Sequence, residues 1–178
     1  IDVHIRRMVA TASHYNMQAP ELPDLVSLMP IELHDKLVRC SITYNTDIIN
    51  IVFFDYTPRN IKSLKLVESD IDYSHKFADR ESLNSLLQYK DDCDEVLIVK
   101  GGMITDTTFS NIVFSNKDGL FTPKSYLLNG TKRQQLLDNH SISEAVISPD
   151  DLHKYDKAYL INAMLNIGDI ELDVKDII

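Results

Sequence analysis

Two hydrophobic periods alternate along this chain, and they predict a mixture of helices and strands. Asp2 can cap a first helix, and Ile5, Met8, Val9 and Ala12 then recur at i, i+3, i+4 and i+7, the spacing of one apolar helical face. From Met17 to Pro30 the chain carries Pro20, Pro23 and Pro30 and reads as loop with at most a helical turn. Leu37 to Tyr44 switches to a period of two: Val38, Cys40, Ile42 and Tyr44 share one face, and Leu37, Arg39, Ser41 and Thr43 the other. Ile48 to Tyr56 and Ile61 to Val67 predict two further strands. Turns at Asn45-Thr46-Asp47 and Pro58-Arg59-Asn60 would join the three as an antiparallel meander.

Ser69 to Tyr73 reads as a linker, followed after Lys76 by a helix burying Leu83, Leu86 and Leu87. Strands are expected at Glu95–Val99 and Met103–Asp106 around a Gly101-Gly102 turn. A hairpin of Asn111–Phe114 with Leu120–Thr122 turns at Asn116–Gly119. Gly130 opens a helix carrying Leu136 and Leu137. A strand at Ala145–Ile147, a helix begun by Ser148-Pro149 and a strand at Tyr159–Asn162 complete the pattern. Without regular βαβ alternation the expected class is α+β, two small subdomains (residues 1–68 and 69–178) with a cleft between them.

Composition narrows the function classes. The chain has 178 residues, enough for a sizeable core, and a formal net charge of −9. Lys and Arg are scattered, so a nucleic-acid partner is not expected, and no apolar run approaches the ~20 residues of a membrane helix. Cys40 and Cys93 form no disulfide framework and read as reduced thiols of a cytoplasmic protein. The histidines show no metal-ligand spacing, so no metal is expected. The chain begins at Ile1 without a signal pattern, and an upstream segment, including a strand, is expected before it.

Three features can carry chemistry. Leu127 to Arg133 is a loop whose glycine opens a helix, where backbone N–H groups can hold a phosphate; a plain helix cap is the other reading. Thr105-Asp106 ends a strand among Thr107, Thr108, Ser110 and Asn111, a candidate site or an ordinary turn. Lys76 follows a linker and precedes an amphipathic helix; alone, such a lysine is usually solvated.

In their order these features resemble the class IV, pyridoxal-phosphate-dependent aminotransferase and aminodeoxychorismate lyase family. That family pairs a cofactor lysine before a helix with an acid about thirty residues on. Asn follows five residues later, then an aromatic, Thr-Pro, a Leu-Xaa-Gly-Xaa-Xaa-Arg loop and a late strand ending in small residues. Lys76, Asp106, Asn111, Phe114, Thr122-Pro123, Leu128 to Arg133 and Ile161-Asn162-Ala163 match, and Val3 to Met8 is similar to the family's His-Xaa-Xaa-Arg segment. The family acid is usually Glu; Asp106 is one methylene shorter. Arg59 to Leu64 resembles the lysine segment of D-amino-acid aminotransferases, which makes Lys62 a rival, but Lys62 lies 44 residues before Asp106 (106 − 62) and Lys76 lies 30 before it (106 − 76).

The resemblance implies a D-amino-acid aminotransferase-like fold with pyridoxal 5'-phosphate bound as a Schiff base to Lys76, which then acts as base at the substrate Cα. It implies Asp106 beside the pyridine nitrogen, and Arg7 with the N–H groups of Thr131, Lys132 and Ala163 on the phosphate. Asn111, Gly130 and Asn162 complete the cofactor set, and Arg39 is a candidate for a substrate carboxylate. Homodimerisation is expected. The assignment leans to an aminotransferase acting on an amino acid. The alternatives are a 4-amino-4-deoxychorismate lyase releasing pyruvate, towards which Asn162-Ala163 points, and a non-catalytic cofactor-binding homologue.

Overall fold

The computed structural model describes residues 2–178. Its contacts divide the chain into a first unit ending at Thr57 and a second beginning at Pro58.

The first unit opens with helix α1, Asp2–His14, with an acidic residue in its first turn as the helix dipole favours. Ala12 is buried, while Ile5 and Met8 are half-buried. Asp24 caps the single-turn helix α2, Leu25–Leu28, accepting from the amides of Val26 and Ser27. Strands β1, Val38–Tyr44, and β2, Ile48–Asp55, pair antiparallel, with Arg39 opposite Phe54.

The third strand of the expected meander does not join them. It forms as β3, Leu64–Glu68, and pairs in parallel with β4, Glu95–Lys100. A parallel pair needs a crossover of a dozen or more residues, and residues 69–94 supply it, including helix α3, Glu81–Ser85. The division of contacts therefore falls before β3, at Thr57/Pro58, rather than after it at residue 68.

β4 turns into the antiparallel strand β5, Met103–Thr107, through Gly101 and Gly102, both at positive φ (57° and 74°). A two-residue hairpin of this hand requires that backbone, which glycine adopts without steric cost. β3, β4 and β5 make a three-stranded sheet. Val96 and Ile98 on one of its faces pack with Tyr73, Leu83, Leu86 and Leu127, so α3 and the segments either side of it are held by apolar burial.

A second sheet has the order β10-β9-β6-β7-β8. Its strands are β6, Asn111–Asn116; β7, Gly119–Pro123; β8, Ser143–Ala145; β9, Lys157–Ile161; and β10, Glu171–Asp173. Helix α4, Thr131–Asp138, connects β7 to β8 and packs Leu136 and Leu137 against Val113, Ile142 and Ile161. β8 lies two residues before the expected Ala145–Ile147, and the short β10 was not anticipated. Ser148 and Asp151 form a capping box at the start of a 3-10 helix, Pro149–Lys154. No helix among the described residues is long and apolar enough to cross a membrane.

Candidate active site

β5 ends in Thr105-Asp106-Thr107 and β6 begins at Asn111, so the turn from Thr107 to Ser110 holds the acid and the asparagine at its two ends. The turn builds itself. Thr107 Oγ1 accepts from the amides of Phe109 (3.3 Å) and Ser110 (3.0 Å), and the Thr107 amide donates to the Ser110 carbonyl (3.0 Å).

Asp106 is buried, and its carboxylate is engaged at both oxygens by this chain. Oδ2 accepts from the amides of Leu127 (3.0 Å) and Leu128 (2.9 Å), and Oδ1 accepts from Asn111 Nδ2 (2.7 Å). Asn111 Nδ2 also donates to the Leu128 carbonyl (2.9 Å). The pair thus fixes the loop before α4 at three backbone groups. A buried carboxylate needs such donors, because desolvation of an unpaired charge is costly.

Gly130 is the N-cap of α4, with φ −67° and ψ 147°, which any residue can adopt. Its need for glycine is steric: a Cβ there would collide with Asn111 Oδ1 and stand 3.2 Å from Asn111 Cγ. As a glycine, Gly130 brings no side chain to cap the start of α4. Lys132 Nζ donates to Asn166 Oδ1 (2.8 Å), bringing the start of α4 to the loop after β9. Asn162 on that loop donates to the Phe109 carbonyl (3.3 Å) and accepts from the Met164 amide (2.8 Å).

Asp106, Asn111, Gly130, Thr131, Lys132 and Asn162 therefore belong to one connected region of the second unit, with exposed Ala163 next to Asn162. Lys76 is exposed, in the irregular segment between β3 and α3. Lys62 leads into β3, where its amide and that of Ser63 donate to Asp94 Oδ2 (2.7 and 3.2 Å). In the first unit, Arg7 is half-buried on α1, and exposed Arg39 lies 4.6 Å over the ring of Phe54.

Sequence reasoning missed several groups here. Buried Arg133, noted only as the end of a motif, donates to the Pro123 carbonyl (3.0 Å), to Glu144 (2.5 Å) and to Asn129 (3.2 Å), and lies over the Tyr126 ring. It clamps the loop that Asp106 holds from the other side. Buried Glu95 accepts from Thr108 Oγ1 (2.9 Å). Arg80 reaches the Thr108 carbonyl (2.5 Å). Only its place four residues after Lys76 could have drawn notice.

Residues 83–172 match the family model for amino-transferase class IV. Over 168 residues the chain is 33% identical to an uncharacterized protein of Haemophilus influenzae, spanning 92% of this chain and 89% of that one. It is 35% identical to a candidate 4-amino-4-deoxychorismate lyase from Haemophilus somnus, with a TM-score of 0.80 over 92% of this chain and 88% of that one. The fold is shared with a candidate amino-acid aminotransferase from Mesorhizobium loti, 22% identical, TM-score 0.79, over 99% and 91%. Further chains of this fold are solved with pyridoxal phosphate bound. The chain belongs to the class IV aminotransferase family. It is a pyridoxal-phosphate-dependent enzyme, an aminotransferase or a lyase.

Two consequences are measurable. Burial pushes the Asp106 carboxyl up to about 6, against the pull of the Leu128 amide, Asn111, the Leu127 amide and the Arg133 charge. The folded chain therefore binds a proton that the unfolded chain has released between about pH 4 and about 6. The stability from that proton is full below the lower value and is lost as pH rises through the upper one. The urea midpoint of the wild type, measured relative to Asp106→Asn, should fall across this window; a rise would mean that the hydrogen bonds outweigh burial.

Gly130→Ala should displace Asn111 and cost roughly 1–3 kcal/mol in urea unfolding. In an Asn111→Ala background the same change should cost much less, because the colliding atom is gone. Equal costs in both backgrounds would refute the steric account.

Proposed function

We propose that the protein is a 4-amino-4-deoxychorismate lyase that releases pyruvate. The observation that carries this reading is the 35% identity to the Haemophilus somnus candidate lyase along 92% of the chain. A second reading, transamination of an amino acid, draws on the likeness of Ile61 to Leu64 to the D-amino-acid aminotransferase segment.

The donor set suits pyridoxal phosphate. A carboxylate offers about four acceptor sites, and donors of this chain take three on Asp106, which leaves capacity on Oδ1 for a ring N–H. The start of α4 offers backbone N–H groups of the kind that bind phosphate. When bound, the cofactor supplies an electron sink for bonds broken at the substrate Cα.

In this reading Lys76 would hold the cofactor until the substrate's amine takes its place, and the neutral lysine amine so freed would remove the Cα proton, which would set up loss of pyruvate. Asp106 keeps a proton on the ring nitrogen, and Asn111 orients Asp106. Arg7 and the N–H groups of Thr131, Lys132 and Ala163 hold the phosphate, arginine because its planar fork can donate twice. Gly130 makes room for Asn111, Asn162 fixes the loop bearing Ala163, and Arg39 meets a substrate carboxylate. The enzyme works as a cytoplasmic homodimer. Support for the dimer comes from the twofold pair being the commonest closed assembly.

Purified protein given 4-amino-4-deoxychorismate should release pyruvate, read by coupling to lactate dehydrogenase, and Lys76→Ala should abolish it. Borohydride reduction should fix the cofactor to the peptide holding Lys76. Amine transfer to a keto acid without pyruvate would favour the second reading, and a label on Lys62 would remove Lys76 from the site. Sedimentation equilibrium at micromolar concentration should give twice the monomer mass; a cofactor-loaded monomer would contradict the dimer.

A further inference from the structure

We propose that Arg80 is a positioning residue that sets where the Lys76 amine stands, by tying the segment from Tyr73 to Arg80 to the turn that bears Asp106 and Asn111. The inference rests on the reading that Lys76 holds the cofactor.

Lys76 lies in a stretch without regular secondary structure, yet the chain on either side of it is held. On the N-terminal side, the Ser69 amide donates to the Val99 carbonyl (2.9 Å) and Lys100 Nζ donates to the Ile71 carbonyl (2.7 Å), so the segment leaves the sheet at a fixed place. Tyr73 is buried in the cluster with Leu83, Leu86, Val96, Ile98 and Leu127, and its hydroxyl donates to the Phe77 carbonyl (3.2 Å). The Phe77 amide in turn donates to the His75 carbonyl (2.9 Å). Lys76 is thereby enclosed in a tight backbone turn resting on one buried ring.

On the C-terminal side Arg80 spans from this segment to the Asp106 turn. It sits at the N-cap position of α3 but makes no cap hydrogen bond, so its side chain is not committed to the helix. Nη2 donates to the Thr108 carbonyl at 2.5 Å. Nη1 stands 3.5 Å from the Tyr73 hydroxyl, and the guanidinium lies 5.6 Å from the centre of the Tyr73 ring. The Thr108 carbonyl is a fixed acceptor, because Thr108 Oγ1 is anchored on buried Glu95 (2.9 Å). Thr108 is two residues from Asp106, so Arg80 measures the Lys76 segment against the acid. Arginine is suited to such a tether because its rigid fork addresses two oxygens while its face meets a ring; lysine offers only a point charge.

The test compares wild type, Arg80→Gln and Arg80→Lys as full chains, with and without pyridoxal phosphate. Without cofactor, amide hydrogen exchange in residues 73–80 should speed up about tenfold in Arg80→Gln, the equivalent of losing one hydrogen bond to a charged group. Peptides from β4 and β5 should keep their wild-type rates. With cofactor, Arg80→Gln should lower the fraction of Lys76 trapped by borohydride and shift the pH midpoint of the cofactor's absorbance band, and Arg80→Lys should restore both in part. Unchanged exchange in residues 73–80 would overturn the proposal, as would an equal rise throughout the second unit, which would mark a merely structural arginine. Trapping at a lysine other than Lys76 in the wild type would overturn the purpose of the tether through the reading beneath it. The exchange measurement, made without cofactor, tells that failure apart from failure of the tether itself.

Discussion

The buried carboxylate of Asp106 is the constraint on which the rest of the second unit's candidate site depends. A carboxylate removed from water must find donors within the fold, and Asp106 finds the amides of Leu127 and Leu128 and the side chain of Asn111. Meeting that need decides where the loop before α4 lies. It also decides where the helix begins, since Asn111 occupies the space that a side chain at residue 130 would require.

Around that carboxylate the turn from Thr107 to Ser110 gathers segments distant in sequence. Arg80 reaches it from before α3, Glu95 from the start of β4 and Asn162 from the end of β9. Arg133 closes the far side of the 123–130 loop through the Pro123 carbonyl and Glu144. Groups meant to act together are useful only when the structure behind them limits their drift, and here these polar contacts add to the apolar cluster of Tyr73, Leu83, Leu86, Val96, Ile98 and Leu127.

What could be read from the sequence follows from the range of the interactions. α1, the β1–β2 pair, the β4–β5 and β6–β7 hairpins and the helix after Gly130 each carry their signal within one or two turns of chain, as periodicity or as turn residues. The partner of β3 does not: its run of Leu64, Leu66 and Val67 fits either pairing, and the choice of β4 was settled by a crossover through residues 69–94. β10 is too short to show alternation. Asp106, Asn111 and Gly130 were legible through their order relative to one another, but the role of Gly130 was not, because its φ is unremarkable and its reason lies in a side chain nineteen residues back (130 − 111). Arg80 gave almost no signal, since an arginine after a lysine on a polar stretch looks like any solvated pair.

The tethers at the crest of the turn end on main-chain oxygens: Arg80 holds the carbonyl of Thr108, and Asn162 holds that of Phe109. Every residue type offers the same carbonyl. The attachment is therefore blind to the identity of what it grips and selective only for what does the gripping. Positions 80 and 162 carry the information for these two tethers, whereas residue 109 is specified separately, by its ring beneath the Arg59 guanidinium. A change at position 109 would thus give up that ring contact while leaving both backbone attachments in place.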